Sequence, residues 1–170
     1  MNNFTISRTF TAPRSLVFDC WVKPEHFEKW GLAPAGCTCR LLHADVRPGG
    51  YYHIQQGMAD GKPIHSRVDF REVSPIDRLV FVVSLCDEKG ETVNNPFFPD
   101  WPRTLLTTVN FEDGGSGTKV TVIWELLDAS AAEAAFFSKN LRIGHQGWSE
   151  TFDRLQTTIE AAQPVPTSTD

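Results

Sequence analysis

The sequence predicts an α+β domain in which a curved antiparallel sheet of six to seven strands wraps around one long C-terminal helix. Three observations predict it. Apolar residues alternate with polar ones at period two through most of residues 37–125, in runs separated by short turns. That is the pattern of consecutive antiparallel strands rather than strand–helix–strand units. A single apolar stripe then follows at helical period: Phe137, Leu141, Gly144, Trp148, Phe152, Leu155 and Ile159. Two short helical stretches separate the first strand from the rest.

Taken in order, Phe4 to Phe10 alternates as a half-buried strand does. Thr11-Ala12-Pro13 breaks it, and proline is tolerated in the first turn of a helix. Leu16, Val17, Cys20 and Trp21 recur at helical spacing, and Lys23-Pro24-Glu25 ends that helix and opens a shorter one carrying Phe27 and Trp30. Cys39 to Val46 reads as a strand that stops at Arg47-Pro48-Gly49-Gly50, a strong turn signal. Tyr52 and Ile54 alternate with His53 and Gln55, and Ala59-Asp60-Gly61-Lys62 has the form of an Asp-Gly hairpin turn. Further strands are expected at Arg67 to Val73, Leu79 to Leu85, Thr104 to Phe111 and Thr118 to Leu126. The turns between them are Ser74-Pro75, Glu88-Lys89-Gly90 and the glycine-rich 113–117. The longest connection, 91–103, carries Pro96, Pro99 and Pro102 together with Phe97, Phe98 and Trp101. These aromatics suit a lid over an apolar site, a partner contact, or rings folded back onto the sheet.

Ser130 with Glu133 three residues later has the form of a capping box, so one helix of roughly eight turns is expected from there to about Ile159. Residues 1–162 read as one domain without internal repeat, and 163–170, with Pro164 and Pro166, as a loose tail. Two glycines, Gly144 and Gly147, interrupt the helix. Each costs about 1 kcal/mol relative to alanine in a helix interior, which calls for a reason: close approach of another element, or space for something else.

Composition narrows the function. The length of 170 residues suits one domain with a continuous core, and the apolar (41%) and charged (22%) fractions are ordinary. The 12 Phe, 5 Trp and 2 Tyr suit a core or an apolar pocket equally. A formal charge of −5 argues against a nucleic-acid partner, whose phosphates need a basic face. No apolar stretch approaches the ~20 residues of a membrane span. The N-terminus lacks the charged and apolar regions of a signal peptide, so the expected compartment is the cytoplasm. Cys20, Cys37, Cys39 and Cys86 then read as thiols rather than a disulfide framework. Cys37-x-Cys39 has neither the spacing nor the second pair of a zinc site. No nucleophile elbow, zincin motif, phosphate loop or dinucleotide fingerprint occurs, so no catalytic residue, metal or cofactor is assigned. Of the five histidines, His53 and His65 flank one hairpin and are expected near each other, which is too little for a metal site.

The motifs taken together resemble a known family. They run from Arg8-x-Phe10-x-Ala12-Pro13 through Val17-Phe18-x-x-Trp21 and Pro24-Glu25-x-Phe27-x-x-Trp30 to Asp45-Val46-Arg47-Pro48-Gly49-Gly50-x-Tyr52. They continue with Phe70-Arg71-Glu72-Val73-x-Pro75-x-x-Arg78-Leu79-Val80-Phe81, Gly117-Thr118-Lys119-Val120-Thr121-Val122 and Gly147-Trp148-x-x-x-Phe152-x-x-Leu155. Their order and spacing resemble the helix-grip fold of the START-like, or SRPBCC, superfamily, and within it the family named after the activator of the heat-shock-protein-90 ATPase. The resemblance implies a cavity between sheet and C-terminal helix that holds a lipid-, polyketide- or hormone-like molecule. A minority of the superfamily are enzymes of the cyclase type. The family name refers to co-chaperones in which such a domain is joined to another one. No second domain is read here, so a chaperone partner is not the first expectation.

Alternation selects the cavity candidates. The strands contribute Tyr52, Ile54, Gln56, Phe70, Phe81, Val83, Val109, Phe111, Val120, Val122 and Trp124, and the helix Phe137, Leu141, Gly144 and Trp148. Trp21 and Trp30 on the short helices close one end, and Gln56, Asn140 and His145 are the polar candidates. Binding of a small apolar ligand is the leading expectation. An enzyme would need a general acid or base such as His145, Glu125 or Asp69 in the cavity. An interaction module would use the Phe97–Trp101 loop or a sheet edge, and either an edge or a helix face could also form a homodimer.

Overall fold

The structure is a computed structural model that describes residues 3–31, 37–57 and 61–164. Strand β1 (Phe4–Phe10) buries Phe4 and Phe10 on one face and leaves Thr5 and Thr9 exposed. Helices α1 (Arg14–Val22) and α2 (Pro24–Trp30) follow, α2 opening on Pro24 as its first helical residue. The meander β2 (Thr38–Ala44), β3 (Tyr51–Gly57), β4 (Ile64–Ser74), β5 (Arg78–Cys86), β6 (Thr104–Asp113) and β7 (Thr118–Leu126) forms the sheet. With β1 it has seven strands in the order β1-β7-β6-β5-β4-β3-β2, every neighbouring pair antiparallel. The expected strands are all present: β1 and β7 have the expected bounds, β2 stops two residues earlier, β5 and β6 each run two residues longer and β4 four.

The turns use the residues foreseen. Gly49, Gly90 and Gly115 take positive φ (87°, 85° and 83°), a conformation that side chains with a Cβ resist. The turn after Ser74 places Ile76, not glycine, at φ 60°. Residues 59 and 60 of the expected Asp-Gly turn, and 165–170 of the expected tail, lie outside the described residues. Gln163 lies just past the last helix, and its amide donates to the Thr11 carbonyl at 2.7 Å.

The stretch expected as one C-terminal helix is two. Helix α3 (Ala131–Lys139) starts on the capping box of Ser130 and Glu133, and α4 (Leu141–Ala162) carries the rest of the apolar stripe. Asn140 separates them at φ −122°, ψ 26°. Its side-chain amide donates to the Phe136 carbonyl at 2.8 Å, supplying that acceptor from a side chain where a helix would use the backbone. The amides of Asn140 and Ile143 reach back three residues, to Phe137 and Asn140, which tightens the chain on both sides of the break. The break lets Phe137 bury against Trp101 and Trp124 while α4 lies on the sheet in its own phase.

The core lies between the sheet's inner face and α1, α2 and α4. Inward residues are Phe4 and Phe10, Tyr52 and Ile54, Val68 and Phe70, Leu79 and Phe81, Leu105 and Val109, Val120 and Val122. They meet Trp148, Phe152, Leu155 and Ile159 of α4. Two buried hydrogen bonds tie the short helices down: Trp30 Nε1 donates to the Cys20 carbonyl at 2.8 Å, and the Tyr52 hydroxyl to the Trp21 carbonyl at 3.0 Å. Across β1, Arg8 meets Asp153 of α4 at 2.6 Å with its guanidinium over Phe152.

Candidate functional site

Filling the space between a curved sheet and a helix requires large residues everywhere, and here the space is not filled. An inner cavity of about 50 Å³ is lined by Trp21, Phe27, Trp30, Tyr52, Val68, Phe70, Leu79, Phe81, Val83, Thr107, Trp124 and Trp148. Two larger ones adjoin its Trp124 wall. One of about 190 Å³ runs beneath the 91–103 connection, among Gln56, Ser66, Val83, Asn95, Trp101 and Trp124. The other, about 240 Å³, lies along α4 among Trp101, Trp124, Gly144, Gly147, Trp148, Thr151 and Arg154. Trp124 lines all three and Trp101 both larger ones.

The polar groups of the site are under-satisfied. The Nε1 atoms of Trp21 and Trp124 and the Thr107 hydroxyl are buried without a hydrogen-bond partner. All three residues line the inner cavity. A buried donor without a partner costs about 1–3 kcal/mol.

The two helix glycines differ in their surroundings. A Cβ on Gly144 would stand 2.9 Å from Phe4 Cε2 and 3.0 Å from Trp124 Cζ3, so this glycine permits close approach of the sheet. A Cβ on Gly147 would meet nothing within 4 Å, and Gly147 is exposed at the rim of the pocket along α4, so close approach does not explain it.

Of the sequence candidates, Trp21, Trp30, Tyr52, Phe70, Phe81, Trp124 and Trp148 come together around the inner cavity. Gln56 lines the cavity beneath the connection and Gly144 the one along α4. Ile54, Val109, Phe111 and Phe137 are buried core that lines none of the three, and Leu141 is half-buried core. Asn140 is occupied in the helix break. His145 is exposed, its ring 4.5 Å from that of Phe4, and does not reach the cavity. It follows Gly144, the residue that touches the sheet, and one step along a helix turns a side chain by about 100°. Asp69 pairs with Arg67 at 2.8 Å, and Glu125 lies on the opposite sheet face from Trp124, so the three groups weighed as acid or base lie elsewhere.

Sequence reading missed Phe27, Val68, Leu79, Thr107 and Arg154. Val68, Leu79 and Thr107 each sit two residues before a chosen inward position, so carrying the alternation one step further finds them. Arg154 follows Trp148 and Thr151 at helical spacing, the signal that places it on the same side of α4. The aromatics of the 91–103 connection split. Trp101 folds back onto Trp124 and Phe137, with centroids 5.9 Å from each, while Phe97 is 64% exposed.

On the opposite sheet face, His53 and His65 do meet, Nε2 to Nδ1 at 3.0 Å, both buried. Burial is the first cause that lowers the His53 pKa, followed by the charges of His65 and Arg67. The other ring nitrogen of His65 has no partner. Among the described residues no group of three His, Cys, Asp or Glu side chains is placed to hold a metal ion. None of the four cysteines forms a disulfide, and burial raises the Cys20 and Cys86 thiols to about 11 and Cys39 to about 12. Among the described residues no helix is long and apolar enough to cross a membrane.

Comparison with known proteins agrees with this architecture. The family described as "Activator of Hsp90 ATPase homolog 1-like protein" matches residues 11–160. No curated protein matches the chain at a significant level. A solution structure of a protein from Arthrobacter aurescens superimposes with a TM-score of 0.77 at 18% identity, covering 99% of this chain and 92% of the other. One from Staphylococcus epidermidis gives 0.75 at 20% identity, covering 99% and 96%. The AHSA1-like protein from Aeromonas hydrophila gives 0.68 at 18% identity, covering 95% and 94%. At these identities the likeness is one of fold.

Proposed function

The chain belongs to the Activator of Hsp90 ATPase homolog 1-like family, and on that premise we propose that it binds a small, predominantly apolar molecule between the sheet and α4. The observation that carries this reading is the set of three cavities lined by Trp124, with the indole donors of Trp21 and Trp124 unpartnered beside them. The inner cavity of about 50 Å³ is below the ~300–1,000 Å³ of ligand pockets, so a ligand enters by turning the Trp124 and Trp101 rings and joining the cavities. A guest that offers an oxygen to an orphaned indole N–H also removes the cost of burying that donor dry.

The test is an NMR titration of ¹⁵N-labelled protein with small apolar compounds, reading the five indole N–H resonances. Movement of Trp124 and Trp21 is expected, with Trp30, already bonded to the Cys20 carbonyl, as the internal reference. Titration of a broad apolar library that moves none of them overturns the reading.

A second reading, a protein-interaction surface, is favoured by one observation: Phe97, Phe98, Val93 and Leu126 are exposed near one another in sequence or on the adjoining strand end. Deletion of 94–101 would then release a co-purifying partner, and retention of every partner would count against it.

A further inference from the structure

Four arginines are partly buried: Arg8, Arg14, Arg67 and Arg154. The first three stand against Asp153, Asp77 and Asp69 at 2.6–2.8 Å. Arg154 has no carboxylate within ion-pair distance among the described residues. Its guanidinium makes two long hydrogen bonds, from Nε to the Trp30 carbonyl at 3.4 Å and from an Nη to Thr151 Oγ1 at 3.2 Å. That leaves most of the five guanidinium donors unused. Burial lowers its pKa, the mark of a cation held where its charge is poorly solvated. A charge of this kind is ordinarily paired.

Arg154 lines the cavity of about 240 Å³ whose other walls include Trp101, Trp124, Trp148 and Ile143. The pocket opens to solvent along α4, its walls are mostly apolar, and its lining carries Glu150 as well as Arg154, whose planar fork suits a carboxylate. We infer that the ligand is an amphipathic carboxylic acid, bound with its apolar body among the three indoles and its carboxylate on Arg154. This rests on the binding reading above and names the ligand class for it. Glu150, exposed on the same pocket and one turn before Arg154, acts on the guanidinium through its charge without an ion pair, so it opposes a second carboxylate there.

The test compares decanoate with 1-decanol, equal in chain length and different in head charge, by calorimetric titration of the full chain at low salt. Decanoate is expected to bind about tenfold tighter, a difference of ~1.4 kcal/mol, and to weaken as salt is added. Arg154→Gln is expected to remove that preference and leave decanol binding in place, whereas Glu150→Gln tightens decanoate about two- to threefold. Glu150 is exposed, so the second variant stands if the first fails to fold. Equal affinities for the two probes in the unaltered protein, or a decanoate preference that survives Arg154→Gln, overturns the carboxylate inference while leaving apolar binding intact. Failure of decanoate to bind at all overturns the carboxylate inference, while the binding reading is decided separately by the library titration of the indole resonances.

Discussion

Replacing Gly144 by alanine puts a methyl group where two aromatic rings already stand, and replacing Gly147 puts one into open space. A Cβ at 144 would lie 2.9 Å from Phe4 Cε2 and 3.0 Å from Trp124 Cζ3, distances that real Cβ atoms avoid. Phe4 is 1% exposed, so its ring has no free direction of retreat. Both substitutions sit in α4 and gain the same ~0.5–1 kcal/mol of helix propensity, which cancels when they are compared. The difference is then the overpacking cost, about 1–3 kcal/mol. For a chain of this length that is roughly 3–10 °C in melting temperature, with Gly147→Ala above the unaltered protein and Gly144→Ala below Gly147→Ala. Urea denaturation of the three proteins, read by far-ultraviolet circular dichroism, measures it. A Gly144→Ala protein as stable as Gly147→Ala would refute the close-approach argument and show that Trp124 yields its place without cost.

Two further expectations follow from buried polar groups. His53 is held neutral, with a folded pKa below its unfolded value, so the unfolded chain binds the proton more tightly. The stability is complete above an unfolded pKa near ~6.5 and is lost as pH falls from there through the lower folded value. Urea midpoints at pH 7.5 and 5.5 should therefore drop toward acid, a window above that of the carboxylates. His53→Gln should flatten the difference, and an unchanged slope would remove His53 as its origin. Trp30→Phe deletes a buried 2.8 Å donor to the Cys20 carbonyl, whereas Trp21→Phe deletes one that has no partner. Trp30→Phe should cost more by about 1 kcal/mol or more in thermal or chemical unfolding, and equal losses would show that volume, not hydrogen bonding, decides both.

The strands, the meander of β2 to β7 and the capping box at Ser130 were legible because each rests on a local rule: alternation at period two, short turns between neighbours, a hydroxyl three residues before a glutamate, whereas the place of β1 beside β7 was not. The same locality made the ring of cavity aromatics legible, since inward positions follow from strand phase. Pairing of His53 with His65 was legible from the hairpin that joins them.

What required the tertiary structure is of another kind. The break at Asn140 stands beside Phe137 packed onto Trp101 and Trp124, rings that arrive from a distant connection and strand. The exclusion of His145 follows from the phase that α4 takes on the sheet. The difference between Gly144 and Gly147 depends on which one faces Phe4. The volume of the cavities, and the isolation of Arg154, are sums over many side chains from separate elements. By itself the sequence determined which residues face inward. How closely those residues meet was decided by packing, because density and charge pairing are properties of neighbours in space that no spacing along the chain encodes.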